Sequence, residues 1–376
     1  RLDVSAFQNC INLKRIYNTE NIVKVGEWCF GGCTKLSAPL NLPKVQSIPK
    51  YVTQDSSVNI ISFGSMEYPV KKLEGQFASG GYWNTFASSG MLFITTENGQ
   101  ASDIENVNHI KDLTVYYVTM DISIYETENE IYAELNDGIN NDKAMLLKSK
   151  NNTITEYDLT NVAGIGRVAY GMIGAKCFEF HSNLKKIVIP EGVTQIAPWA
   201  FQYCQNLTDI SLPQSLKILG TGAFYEDRFA TIELPSSLEA INSQCFYNCS
   251  NLTAINIPDG ITNIGFRVFF NCKSLRTFIG GLNVEKLEEE ALRGTALSGI
   301  NLPKCSSLGR ISFRISGNGT YIFGSVGYPV TTIEATAFTD VNNSTIILYT
   351  TTGDETALSG SPWGARSSCI FIYEIA

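Results

Sequence analysis

The chain has 376 residues, enough for two or three domains and a substantial core. Hydrophobic residues make up 44% and charged residues 17%, with 31 glycines and two histidines, a composition that fits a β-leaning globular protein and excludes a disordered one. A net charge of −8, with no Lys/Arg cluster beyond a dipeptide, excludes a basic face for duplex nucleic acid, and no apolar run approaches the ~18 residues of a membrane span.

In chain order, the first recurring elements are AFQNC (6–10) and CFGGC (29–33), 23 residues apart. No signal peptide precedes Arg1, and because Phe7 and Cys10 already stand in this register, the natural N-terminus is expected upstream. From Asn41 to Glu74 the chain runs NLPK through FGSMEYPV (63–70). The same segment returns at 301–334 with FGSVGYPV (323–330), 13 of 34 positions being identical. Two copies of a long segment imply two copies of an architectural unit. MLFITTENG (91–99) and LTVYYV (113–118) follow the first copy, as IILYTTTGD (346–354) and CIFIYEI (369–375) follow the second. Between them ISIYETENEIYAEL (122–135) and AMLLKSK (144–150) alternate apolar with polar residues, with turn chemistry at Asn136-Asp137-Gly138.

From Phe178 an apolar anchor recurs at Phe201, Phe224, Phe246, Phe269 and Leu292, at steps of 23, 23, 22, 23 and 23. Around it stands small-F-x-x-C-x-x-L-x-x-I-x-[IL]-P, then a second apolar pair such as VTQI (193–196). The alternating pair before the proline predicts a short strand with one buried face, and the proline ends its pairing. A coil of this length cannot bury its apolar side alone, so coils must stack with strands about 4.8 Å apart and the aromatic at the centre. The fold class expected is a β-rich, curved, right-handed solenoid with a parallel sheet on its concave face and few or short helices.

In phase, proline and cysteine, this consensus closely resembles the BspA-like leucine-rich repeats, also called the Treponema pallidum type, over residues 2–50 and 165–345. The segments at 91–99 and 346–354 resemble the terminal caps of that family. The resemblance implies two tandem arrays. Residues 1–118 would be the C-terminal part of a first array with its cap. Residues 119–376 would be a second array, with an N-terminal β cap (119–165), repeats (166–310) and a C-terminal cap (311–376). A boundary near Thr119 is expected, and each octapeptide would lie where a cap shields the open end of a stack.

Cys10, Cys33, Cys204, Cys249 and Cys272 share one repeat position, and Cys29, Cys177 and Cys245 replace the small residue before the anchor. Neighbouring coils bring Cys10 near Cys33 and Cys249 near Cys272, so a disulfide ladder is one reading; a small buried hydrophobe is the other. Alternation with His181, Asp227 and Thr295 in the same slot favours the second, and the C-x3-C pairs belong to the repeat, not to a metal site. No catalytic residue, cofactor or metal is expected. His181 occupies a repeat slot, His109 lies in a polar stretch, and EKLEEEAL (285–292) reads as a solvent face or short helix. NDGINND (136–142) lacks the ligand spacing of an EF-hand.

Residues flanking the first Ile of each strand pair are expected to point outward from the concave sheet. The candidate ligand-binding set is Lys186, Val188, Asp209, Ser211, Thr231, Glu233, Asn256, Thr277 and Asn301, mostly small and uncharged. Cap aromatics Tyr82, Trp83 and Trp363 stack on sugars or pack on the terminal coil. The resemblance implies a non-catalytic, adhesin-like module at the outer cell surface, monomeric, binding an extracellular protein or glycan. A carbohydrate-binding or spacer domain of a larger surface protein is the alternative.

Overall fold

The structure, a computed structural model, describes residues 1–58, 60–73, 91–98, 100–103, 114–118, 121–126, 128, 130–136, 143–161, 169–315, 318–358 and 363–376. Tyr82, Trp83, His109, Thr119 and the Asp137-Gly138 turn lie outside the described residues. The chain divides into two compact units, Arg1–Met145 and Leu146–Ala376, the division falling within the strand Lys143–Ser149. Among the described residues both units are β-solenoids of mainly parallel strands joined by turns, with short 3-10 turns such as Thr19–Asn21 and no α-helix.

Most coils of the second unit contribute two strands. The first strands Glu156–Asp158, Lys186–Val188 and Asp209–Ser211 form one parallel ladder, and Ala254–Ile257 pairs with Thr277–Gly280 in another. Gly299–Leu302, Thr320–Phe323, Thr345–Thr350 and Ile370–Ile375 form a third. The second strands stack in the same order, with Gln195 beside Ile218 and Ile218 beside Ala240. Prolines at 190, 213, 258 and 303 close the first strands, since a residue without an N–H cannot extend a ladder.

The anchor aromatics form a single internal file. Phe178, Phe201, Phe224, Phe246 and Phe269 are fully buried, and successive rings stack with centroids 5.0, 5.5, 5.6 and 5.4 Å apart. Burying each phenyl stabilises by roughly 1.5–3 kcal/mol, and each stacked pair adds about 0.5–1.5. The turns after the anchor are bonded along the stack as well. Tyr203, Glu226, Asn248 and Asn271 adopt left-handed φ of 62°, 62°, 56° and 56°. Each then donates its N–H to the next coil, at Tyr225, Tyr247, Phe270 and Arg293, over 2.7–2.9 Å. Strained single residues persist because the stack satisfies the group they redirect.

All ten cysteines are thiols. In the shared slot Cys33, Cys204, Cys249 and Cys272 donate from Sγ to the carbonyls of Phe7, Phe178, Phe224 and Phe246, at 3.0–3.1 Å. A small buried donor is what the slot demands, and burial pushes these thiols up, Cys29 and Cys305 to about 12.

In the first unit, Leu40–Leu42, Ile60–Phe63, Met91–Thr95 and Thr114–Val118 form a four-stranded parallel sheet. Both octapeptides fold alike. Gly64 and Gly324 take φ of 79° and 78°, and their N–H groups donate to Leu42 and Leu302 at 3.1 Å. Ser65 and Ser325 then close a tight turn onto Tyr68 and Tyr328, and Val70 and Val330 donate to the next strand at Thr95 and Tyr349. A Cβ on Gly324 would meet the Tyr328 carbonyl at 2.8 Å, so the turn requires glycine.

Two expectations change. Residues 122–135 are not one strand but two: Asp121–Glu126 and Glu130–Asn136 pair antiparallel, Glu126 opposite Ile131. Nor does EKLEEEAL form a helix or face solvent throughout, although Glu285 and Lys286 are exposed. Lys286–Leu287 is a strand, Glu288 accepts the Phe266 N–H at 3.0 Å, and Glu290 is buried between Arg267 and Arg293. Burial raises the Glu290 carboxyl, but the two guanidinium groups hold it below its ordinary value.

Candidate binding surface

A first strand sends its central residue inward and its flanking residues outward, so the outward positions of successive coils form two columns. Through the paired registers, one column carries Glu156, Lys186 and Asp209, then Ala254 and Thr277, then Gly299, Thr320, Thr345 and Ile370. The other carries Asp158, Val188 and Ser211, then Asn256 and Ile279, then Asn301, Ile322, Ile347 and Ile372. Ile187, Ile255 and Ile300 between them are buried. The face is therefore graded, charged at its start and apolar at its end, where Ile370 and Ile372 are 61% and 38% exposed.

Lys186, Asp209, Ser211, Asn256, Thr277 and Asn301 stand exposed on these strands, and Val188 is half-buried. Lys186 Nζ lies 3.0 Å from Asp209 Oδ2, which raises the ammonium above its ordinary value; Glu156 on the other side acts in the same direction. The pair is open to water and holds two side chains in register more than it stabilises.

Thr231 and Glu233 are exposed but lie in no strand. Cys204 and Pro213 are nine residues apart, whereas Asp227 and Pro235 are eight apart. The shortened coil keeps only a rung such as Thr253 N–H to the Ala230 carbonyl at 2.9 Å. Phe229 packs edge-on against Phe224 and Phe246 in the place of the consensus leucine. The 22-residue step between Phe224 and Phe246 was the trace of this in the sequence.

Other candidates are absorbed by the coil. His181 is buried, its Nε2 3.0 Å from Ser149 Oγ, and burial lowers its pKa. Trp363 is fully buried and packs edge-on against Phe371 and Phe338, which excludes it as a sugar platform. A polar depression of about 280 Å³ opens on the turn side among Glu226, Arg228, Asn248 and Lys273, away from the nine candidate residues. Among the described residues no cluster of three His, Cys, Asp or Glu could hold a metal ion, and no helix is long and apolar enough to cross a membrane.

The chain is similar in structure to a leucine rich cell surface protein of Faecalibacterium prausnitzii, at 24% identity and a TM-score of 0.45, over 54% of this chain and 56% of that one. It thus spans little more than half the length of that relative. A leucine-rich repeat protein of Bacteroides ovatus matches at 18% identity and a TM-score of 0.38, over 68% of this chain and 90% of that one. The Treponema pallidum leucine rich repeat protein matches at 19% and 0.31, over 42% and 78%. No curated protein matches the sequence. The family description "BspA type Leucine rich repeat region" matches six copies, over residues 1–74, 171–298 and 241–356. With more than half its residues in those repeats, the chain belongs to the BspA-type leucine-rich repeat family.

Proposed function

We propose that the chain is a non-catalytic interaction module, extracellular and adhesin-like, which binds a protein through the outward face of its first-strand sheet. The observation that carries this reading is the contrast between two sets of side chains. Among the described residues, His181, the slot cysteines Cys204 and Cys249, and the buried Asp227 and Glu290 face partners inside the coils: a Ser149 hydroxyl, main-chain groups or arginines. The outward columns, by contrast, present exposed Lys186, Asp209, Ser211, Asn256, Thr277 and Asn301 in regular registry. A sheet that repeats its spacing from coil to coil suits an extended partner.

The test is an array of extracellular-matrix proteins and of host and microbial glycans probed with the purified chain, followed by titration. Saturable binding to a protein, weakened ten-fold or more by Asp209→Arg or Asn256→Arg at unchanged thermal stability, is expected. Retention on glycans alone would move the reading to a carbohydrate-binding domain, and silence throughout would leave a spacer.

A further inference from the structure

The two arrays end in the same way, yet the outward faces of their last strands differ. In the first unit one outward column runs Asn41, Ser62 and Phe93 across three parallel strands. That column is covered by the strand Asp121–Glu126, which pairs antiparallel with Glu130–Asn136 in a larger sheet. The strand Asp121–Glu126 lies against Leu40–Leu42 and Met91–Thr95, and Asn41 Nδ2 donates to the Ile122 carbonyl at 3.2 Å. Arg15 pairs with Glu126 at the hairpin's far end. Ser62 and Phe93 are left 1% and 0% exposed, and Ile122 is 5% exposed.

The repeated segment fixes the counterpart of this column in the second unit: Asn301 for Asn41 and Ile322 for Ser62, continued through the register by Ile347 and Ile372. Here the column is open. Asn301 is exposed, Ile322 and Ile347 are half-buried, and Ile372 with its neighbour Ile370 is 38% and 61% exposed. The surface keeps the amide that in the first unit bonds a hairpin's main chain. It also replaces the first unit's serine with isoleucine, and the register continues it with two more isoleucines.

We propose that this column is the docking site for a β-hairpin of a partner protein, one strand of it laid across the sheet as the strand Asp121–Glu126 is laid across the first unit. It rests on the protein-binding reading above and specifies the partner's shape. Sheet-on-sheet packing about 10 Å apart would set alternate apolar residues of the hairpin between the isoleucines, while Asn301 donates to a main-chain carbonyl. A sugar would leave the isoleucine row without the apolar cover that a hairpin's alternate side chains supply.

The probe is a fluorescein-labelled, backbone-cyclised peptide of residues 121–136, titrated with the full chain and followed by anisotropy. Saturable binding is expected, weakened at least ten-fold by Ile372→Glu and by Ile370→Glu and unchanged by Asp209→Asn. These isoleucines are exposed enough for both variants to fold, which matched melting curves would verify. Absence of saturation at millimolar chain, or binding indifferent to both glutamates, overturns the proposal. So does a concentration-dependent dimer that Ile372→Glu dissolves, since a second copy would then be the occupant. Matrix-protein binding that survives Ile372→Glu but not Asp209→Arg would sink the hairpin site alone and leave the broader reading standing.

Discussion

Two coils of the second unit place a titratable side chain where their neighbours place cysteine, and they treat it differently. His181 is 6% exposed and finds a partner for each ring nitrogen, Ser149 Oγ at 3.0 Å and the Glu179 carbonyl at 3.3 Å. Asp227 is fully buried; Oδ1 accepts the Cys204 N–H at 2.8 Å, while Oδ2 has no hydrogen-bond partner among the described residues. Cysteine in this slot gives one weak hydrogen bond and stays neutral. The comparison teaches that the slot selects for a small group that is neutral when buried and can meet the adjacent main chain. An acid and a base qualify only in their uncharged forms.

The largest expected effect sets the scale. Phe246→Ala empties the aromatic file beside the Asp227 coil and is expected to lower unfolding free energy by about 3–5 kcal/mol in urea titrations. A loss below ~1 kcal/mol would mean that the file relaxes and the slots are not held by it. Next, Cys249→Asp places a second acid near Asp227, in a slot where burial above all raises the Cys249 thiol. We expect a loss of about 3 kcal/mol; a neutral outcome would show that the slot is wet.

The sharpest comparison is in pH. Burial raises the Asp227 carboxyl well above its ordinary value, with Cys204, Cys245 and Cys249 around it. Its contribution to stability is thus fully present below the unfolded pKa of about 3.9 and is lost as pH rises through the folded value. Burial lowers His181, and Lys148 adds to that, so its contribution is present above about 6.5 and is lost as pH falls through the folded value. Asp227→Cys is therefore expected to add about 1–2 kcal/mol at pH 8 and nothing at pH 4, and His181→Cys to flatten the acid side only. Parallel pH profiles for parent and variants would refute the neutral-slot account. The smallest effect is outside the slots: Asp209→Asn removes an exposed ion pair and should shift stability by no more than ~0.5 kcal/mol.

Most of the architecture could be read from spacing. The Phe178 to Leu292 register, the proline stops and the shared cysteine slot all follow from residues that every coil repeats. What stayed hidden is whatever departs from repetition. The left-handed backbone at Tyr203, Glu226 and Asn248 carries no glycine to announce it, because its stabilisation comes from N–H groups bonded to the next coil. The engagement of Glu288 and Glu290 depends on Asn263, Arg267 and Arg293 in neighbouring turns, which a linear charge run does not reveal. Of the candidate surface, the outward columns were legible, whereas the loss of the strand at Thr231 and Glu233 came from one missing residue. The cover over Ser62 and Phe93 came from a hairpin that sequence periodicity read as a single strand.

That missing residue also sets how the array would bear load. Every coil is fastened only to its two neighbours, so tension applied along the stack passes through each rung in series. Around Thr231 and Glu233 one of the two strand ladders is thinned to a rung such as Thr253 N–H to the Ala230 carbonyl, although the second strands still pair Ile218 with Ala240. Stretched end to end, the second unit is expected to yield at this joint first, releasing length in two steps, one for each side of the short coil.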